Sequence, residues 1–148
     1  MSDLARVLLT ATILSATALG AYVWRLTRLD EAGPERLIGQ LRLAQWAALA
    51  LAALGAVSIG LAVAHDPSAL GSVEVTLGLA FVVFAALVLQ REPREALLLA
   101  VAGFVAHALL NLAHRPGGLD PVAPPWFSAG GSVFDVFLAG LCYWARRR

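Results

Sequence analysis

The stretch LAQWAALALAALGAVSIGLAVA, residues 43–64, runs for twenty-two positions without a charged side chain. A helix rises about 1.5 Å per residue, so such a run covers the roughly 30 Å hydrocarbon core of a bilayer. Its surroundings agree. The chain of 148 residues is 59% hydrophobic and 14% charged, where about a quarter of an ordinary soluble domain is charged. This composition is that of an integral membrane protein.

Four further apolar runs flank the first: Leu4 to Trp24, Val73 to Gln90, Ala96 to His114 and Trp126 to Ala145. With Leu43 to Ala64 they predict an all-α bundle of five transmembrane helices. Glu74 and Asp135 lie inside the third and fifth runs. The connecting segments RLTRLDEAGPERLIGQLR, HDPSALGS, REPRE and RPGGLDPVAPP carry the charge or the Pro/Gly punctuation of loops. No internal repeat or linker divides residues 1–148, which read as a single domain.

Arginine placement tests the number of spans, because basic residues are retained on the cytoplasmic side. Five spans put Arg25, Arg28, Arg36, Arg42, Arg91, Arg94, Arg146, Arg147 and Arg148 on one side and only Arg6 and Arg115 on the other. Removing an internal span would scatter them across both faces. The expected topology is therefore N-terminus outside and C-terminus inside. Tyr22, Trp24, Trp46, Tyr143 and Trp144 then fall at the inner boundary, with Trp126 and Phe127 at the outer one, where interfacial aromatics anchor helices. Cleavage after ATALGA would remove the helix that sets this orientation, so the first run is read as a retained span.

The eleven basic residues are all arginine and the chain is alanine-rich, which points to a high-GC bacterial gene and a multi-pass protein of the bacterial inner membrane. The single cysteine, Cys142, can form neither an internal disulfide nor a CxxC site. A net charge of +1 gives no reason to expect nucleic acid. The lipid bilayer is the expected partner, and the small-residue run AALALAALGA of the second span is the expected surface for other membrane subunits.

Counted by depth, the polar residues gather in the outer half. His114 ends the fourth span, and His107 lies roughly 10 Å deeper. Asp135 is roughly 13 Å down the fifth span, near the level of His107, while Glu74 lies near the level of His114. His65 and Asp66 end the second span on that side. His107, Asn111 and His114 have the i, i+4, i+7 spacing of one helical face, and Gly103 continues the stripe with room for a neighbouring helix. An ionised aspartate in hydrocarbon costs about 3 kcal/mol on insertion scales, so Asp135 should face the bundle and find a partner. His107 is the natural one.

Three readings compete for this constellation of Glu74, His107, Asn111, His114 and Asp135. It is a structural network whose interhelical hydrogen bonds fix register. It is a metal site, with Glu74, His107, His114 and Asp135 as candidate ligands for zinc or iron; against this, histidines seven residues apart lie two turns apart and do not easily share an ion. Or it is an acid–base site in which His107 transfers a proton of a lipid-soluble substrate and Asp135 orients it. Outside it, the threonines and serines of the first span bond back to their own helix, PERLIGQLR is expected to lie on the membrane surface, and the final RRR to anchor the topology or touch anionic lipid.

Residues 73 to 145 resemble a group of small uncharacterised bacterial multi-span membrane proteins. These have a glutamate early in one span, a His-x3-Asp-x2-His helix, a Pro-Trp-aromatic element and a last helix containing an aspartate. The corresponding residues are Glu74; His107, Asn111 and His114; Pro125, Trp126 and Phe127; and Asp135. Asn111 stands where the group has an aspartate, which removes a charge from the stripe. The resemblance implies a shared architecture and no particular activity.

The expectation is thus a polytopic inner-membrane protein with a polar pocket in its extracytoplasmic half. An acid–base or metal-dependent membrane enzyme and an accessory subunit of a larger complex are the alternatives.

Overall fold

A computed structural model describes residues 3–65, 72–114 and 125–147, all-helical apart from short turns and caps. Five α-helices follow in order: α1 (Asp3–Leu26), α2 (Pro34–His65), α3 (Val73–Leu89), α4 (Pro93–Ala113) and α5 (Pro125–Arg147). Asp66, Arg115, Arg148 and the loops at 66–71 and 115–124 lie outside the described residues. Local chemistry explains the starts. Proline opens α2, α4 and α5, where its missing N–H is not needed and its φ is preset for helix. Ser72 caps α3 by accepting the Val75 N–H at 3.4 Å.

The helices α2, α4 and α5 are long and apolar enough to cross a membrane, and α3 is a shorter apolar helix of 17 residues. Large apolar side chains cover the outside of the bundle: Leu49 and Val57 of α2, Val83 and Leu87 of α3, Leu98 and Leu109 of α4, Val133 and Val136 of α5. A surface this greasy belongs in lipid. The protein is a helical membrane protein.

One sequence expectation is corrected. PERLIGQLR is not a separate piece on the surface; it forms the first turns of α2, continuous to His65. The reason is burial, because Arg36, Gly39 and Gln40 pack inside the bundle. Gln40 Nε2 donates to the Ala145 carbonyl at 2.9 Å and Tyr22 Oη to the Gly39 carbonyl at 3.1 Å. With 32 residues, α2 is about 48 Å long and exceeds the hydrocarbon thickness.

Helices α2 and α3 pack along their length, as do α4 and α5, and α4 also touches α2 and α3. Helix α1 stands outside this group of four, against α5 and the start of α2. Glycine sets the closest approach. A Cβ on Gly78 would lie 2.8 Å from the Gly55 carbonyl oxygen and 2.6 Å from Ile59 Cγ1, so α2 and α3 cross backbone to backbone. A Cβ on Gly103 would lie 2.9 Å from Leu51 Cδ1, which seats α2 against α4. Ala47, Ala48, Leu51 and Gly55 of the AALALAALGA run face inward, leaving Leu49, Ala53 and Ala56 on the outside. Near the other end, Trp24 and Trp144 meet with ring centroids 5.8 Å apart. Arg28 stacks over Trp24, and Arg147 over Tyr143.

The crossing predicts a sharp contrast between two glycines. Gly78→Leu must push against backbone and should cost about 1–3 kcal/mol or more. Gly60→Ala, where an added Cβ meets nothing within 4 Å, should change stability by less than about 0.5 kcal/mol. Equilibrium unfolding of the detergent-purified variants measures both.

Candidate acid–base site

Helices α4 and α5 run antiparallel and bring two polar stripes face to face. His107, Asn111 and His114 lie on α4; Ser128, Ser132 and Asp135 lie on α5 with the same spacing in reverse. Gly131 makes room for Asn111, since a Cβ there would lie 3.1 Å from Asn111 Nδ2. Ser132 Oγ is 2.9 Å from the Ser128 carbonyl and 3.3 Å from the Ala108 carbonyl, so its hydroxyl has an acceptor on each helix.

At the deep end, His107 Nδ1 lies 2.6 Å from Asp135 Oδ2. Asp135 has no exposed surface and His107 is 5% exposed. A carboxylate oxygen only accepts, so the proton of this short, charge-assisted bond belongs to Nδ1. Asn111 Nδ2 donates to the same oxygen at 3.2 Å. Its equal distance from His107 Nδ1 is an approach of two donors that share one acceptor. The carboxylate also fixes the Asn111 amide, whose oxygen would be repelled if it faced Oδ2. The edge of Phe81 packs against the imidazole with centroids 5.0 Å apart and planes at 82°. Asp135 Oδ1 is buried without a hydrogen-bond partner.

His107, Asn111 and His114 line a cavity of about 50 Å³ together with Glu74 of α3, Phe127 and Ser128 of α5, and Leu54, Val57 and Leu61 of α2. The space suits about one or two waters. His114 ends α4 and holds Nδ1 against the Leu110 carbonyl at 2.9 Å, while its Nε2 is buried and unpartnered. Glu74 sits in the first turn of α3, where the helix dipole favours a carboxylate. The sequence-derived candidates Glu74, His107, Asn111 and His114 therefore share one cavity, and Asp135 backs it through His107. His65 is exposed at the end of α2.

What this arrangement can do is move a proton. Asp135 holds the ring through Nδ1, and a histidine that lines a cavity can exchange a proton through its other nitrogen. It is not arranged as a metal centre. Among the described residues, no group of three or more His, Cys, Asp or Glu side chains is placed to hold an ion. Helical rise separates His107 from His114 by about 10 Å.

Sequence reasoning missed the α5 stripe, although Ser128, Ser132 and Asp135 carry the same signal as the α4 histidines. It also missed Phe81 and the α2 wall, which had no signal, because apolar residues in apolar helices do not mark which side faces inward.

Replacing Asp135 separates the hydrogen bond from the charge. Asp135→Asn keeps an acceptor for His107, whereas Asp135→Ala strands two buried donors at a cost of about 1–3 kcal/mol. The alanine variant should unfold at clearly lower denaturant than the asparagine variant.

Comparison with protein-family models, with curated proteins and with solved structures gives no match, so the functional reading rests on this geometry.

Proposed function

We propose that the chain crosses a bacterial inner membrane five times, N-terminus outside and C-terminus inside, and that His107 and Asp135 are an acid–base pair acting on a lipid-soluble substrate. The arginine distribution supports the orientation, and the apolar exterior of every helix supports the number of spans. Helix α3, at 17 residues, reaches about 26 Å, a mismatch that local thinning or tilting of neighbours absorbs.

The observation that carries the chemistry is the 2.6 Å contact between His107 Nδ1 and Asp135 Oδ2, buried at the floor of a cavity with other polar walls. A histidine oriented through one nitrogen and open at the other is the arrangement of a general acid or base. Beyond the pair, toward the arginine-rich end, the core is Leu51, Val88, Leu97, Ala100 and Phe104, all buried and apolar. Protons have no polar route there, which favours exchange with one face and argues against conduction through the bundle.

The cavity itself has room only for water-sized groups. A second, apolar hollow of about 330 Å³ lies between α1, α2 and α5, with Phe104 and Leu138 in its wall. Each of these residues is one turn from His107 or Asp135. This favours a substrate whose apolar body approaches from the bilayer while water and protons come from the cavity. Metal chemistry is not part of the proposal, because the ligand candidates do not converge.

Two experiments test the two halves. In a Cys142→Ala background, a single cysteine at Gly117 should react with a membrane-impermeant maleimide on intact spheroplasts, and one at Glu31 only after permeabilisation. Labelling of both from one side defeats the five-span topology. For the chemistry, lipid extracts of cells lacking the gene should match those of cells carrying His107→Gln and differ from wild type. If the deletion changes no lipid-soluble compound, or His107→Gln restores the wild-type profile, the acid–base reading fails.

A further inference from the structure

Two arginines at the arginine-rich end, Arg36 and the half-buried Arg146, have buried guanidinium nitrogens without a hydrogen-bond partner. Arg36, in the first turn of α2, is 2% exposed; its Nη1 donates to the Leu29 carbonyl at 3.4 Å, and its Nε and Nη2 are buried with no partner. Arg146 Nε is likewise buried and unpartnered. The two arginines flank one contact. Gln40, one turn on from Arg36, donates to the carbonyl of Ala145, the residue before Arg146. Helical side chains lean toward the helix N-terminus, so Arg36 extends from this contact toward the end of the bundle.

Among the described residues no carboxylate is paired with these charges. Asp30, Glu31 and Glu35 are exposed, and among the described residues the ion pairs are Arg6 with Asp3 and His107 with Asp135. Arginine does not shed its proton, so neutralisation by deprotonation is closed to it. The carbonyl ends of α1 and α5 offset part of the charge, while the N-terminus of α2 adds to it. What results is a positive corner with unused N–H donors in the planar fork that matches phosphate oxygens. The bond from Arg36 to Leu29 is at the limit of hydrogen bonding, so the guanidinium gives up little by turning to an oxyanion.

We propose that Arg36, with Arg146 and the first turn of α2, binds a phosphate group. Its source is a lipid headgroup or free phosphate. Trp24, Trp144 and Tyr143 cluster at this end, and such rings lie at headgroup level in a membrane protein, which makes the lipid arm of the test the informative one. Glu35 in the same turn sets a limit on affinity by repelling an anion.

The test is the unfolding midpoint of full-length protein in maltoside micelles, with added dioleoylphosphatidylglycerol, inorganic phosphate or, as a phosphate-free anion, oleate. Wild-type protein should be stabilised by phosphatidylglycerol or by phosphate and not by oleate. A response to the lipid alone assigns the headgroup, and a response to phosphate alone assigns the soluble anion. Arg36→Met should weaken the apparent affinity about tenfold or more, Arg146→Gln should weaken it less, and exposed Arg42→Gln should leave it unchanged. Should Arg36→Met not fold, Arg36→Lys, which keeps the charge and loses the fork, takes its place. The proposal is overturned if neither phosphate compound stabilises the wild type, if oleate matches them, or if the Arg36 and Arg146 variants respond as the wild type does.

Discussion

Asp135 has no contact with solvent and lies in a bundle whose exterior is apolar, so its charge has to be answered from within. That constraint organises half the structure. The answer comes from α4, through His107 and Asn111, and it requires α4 and α5 to run antiparallel in one register, with Gly131 leaving room for the amide. A slip of one turn toward the start of α4 would leave the carboxylate facing Gly103 and Phe104, with no side-chain donor. Apolar packing discriminates less sharply against such a slip, because most side chains of both helices are apolar. The polar contact is therefore what specifies the pairing, and the small-residue crossings at Gly55, Gly78 and Gly103 then hold α2 and α3 around it.

The fold was legible to the extent that it follows from composition. Uninterrupted apolar runs placed all five helices, with ends shifted by a few residues, because a helix continues through polar residues until a proline or cap stops it. The start of α2 was not legible for a related reason. Glu35, Arg36 and Arg42 mark PERLIGQLR as surface by charge, yet burial of Arg36 and Gln40 depends on where α1 and α5 end, which no local pattern encodes. Within the site, depth counting brought His107 to Asp135, since rise per residue is nearly constant and both helices start from known ends. Rotation about each axis was legible only where polar residues broke the monotony. Phe81 and the α2 wall lay beyond reach because their facing is set by the Gly55–Gly78 contact, a property of two helices together.

The two ends of the bundle handle charge in opposite ways. At the histidine end, donors and acceptors of both signs surround a small hollow, and the one deep carboxylate is paired. At the arginine end, charge of one sign accumulates, partly stacked on Trp24 and Tyr143 and partly buried. Between them lies a layer of Leu51, Val88, Leu97 and Phe104 with no polar side chain. Among the described residues that layer offers no buried polar side chain to link the two ends by hydrogen bonds.

Asn111 has a specific place in this balance. It stands 3.2 Å from Asp135 Oδ2 and donates a hydrogen bond to it. An aspartate at 111 would set two carboxylates at that spacing beside one imidazole, and both could not be charged in so dry a place. One would have to hold a proton, and the pair would titrate as a unit. With asparagine the neighbour of the carboxylate is a donor, and Asp135 Oδ2 accepts from both Asn111 and His107. The charge missing from the stripe thus simplifies the site to one acid and one base. It leaves Asp135 Oδ1 as the unfilled position, a buried acceptor with no donor in reach.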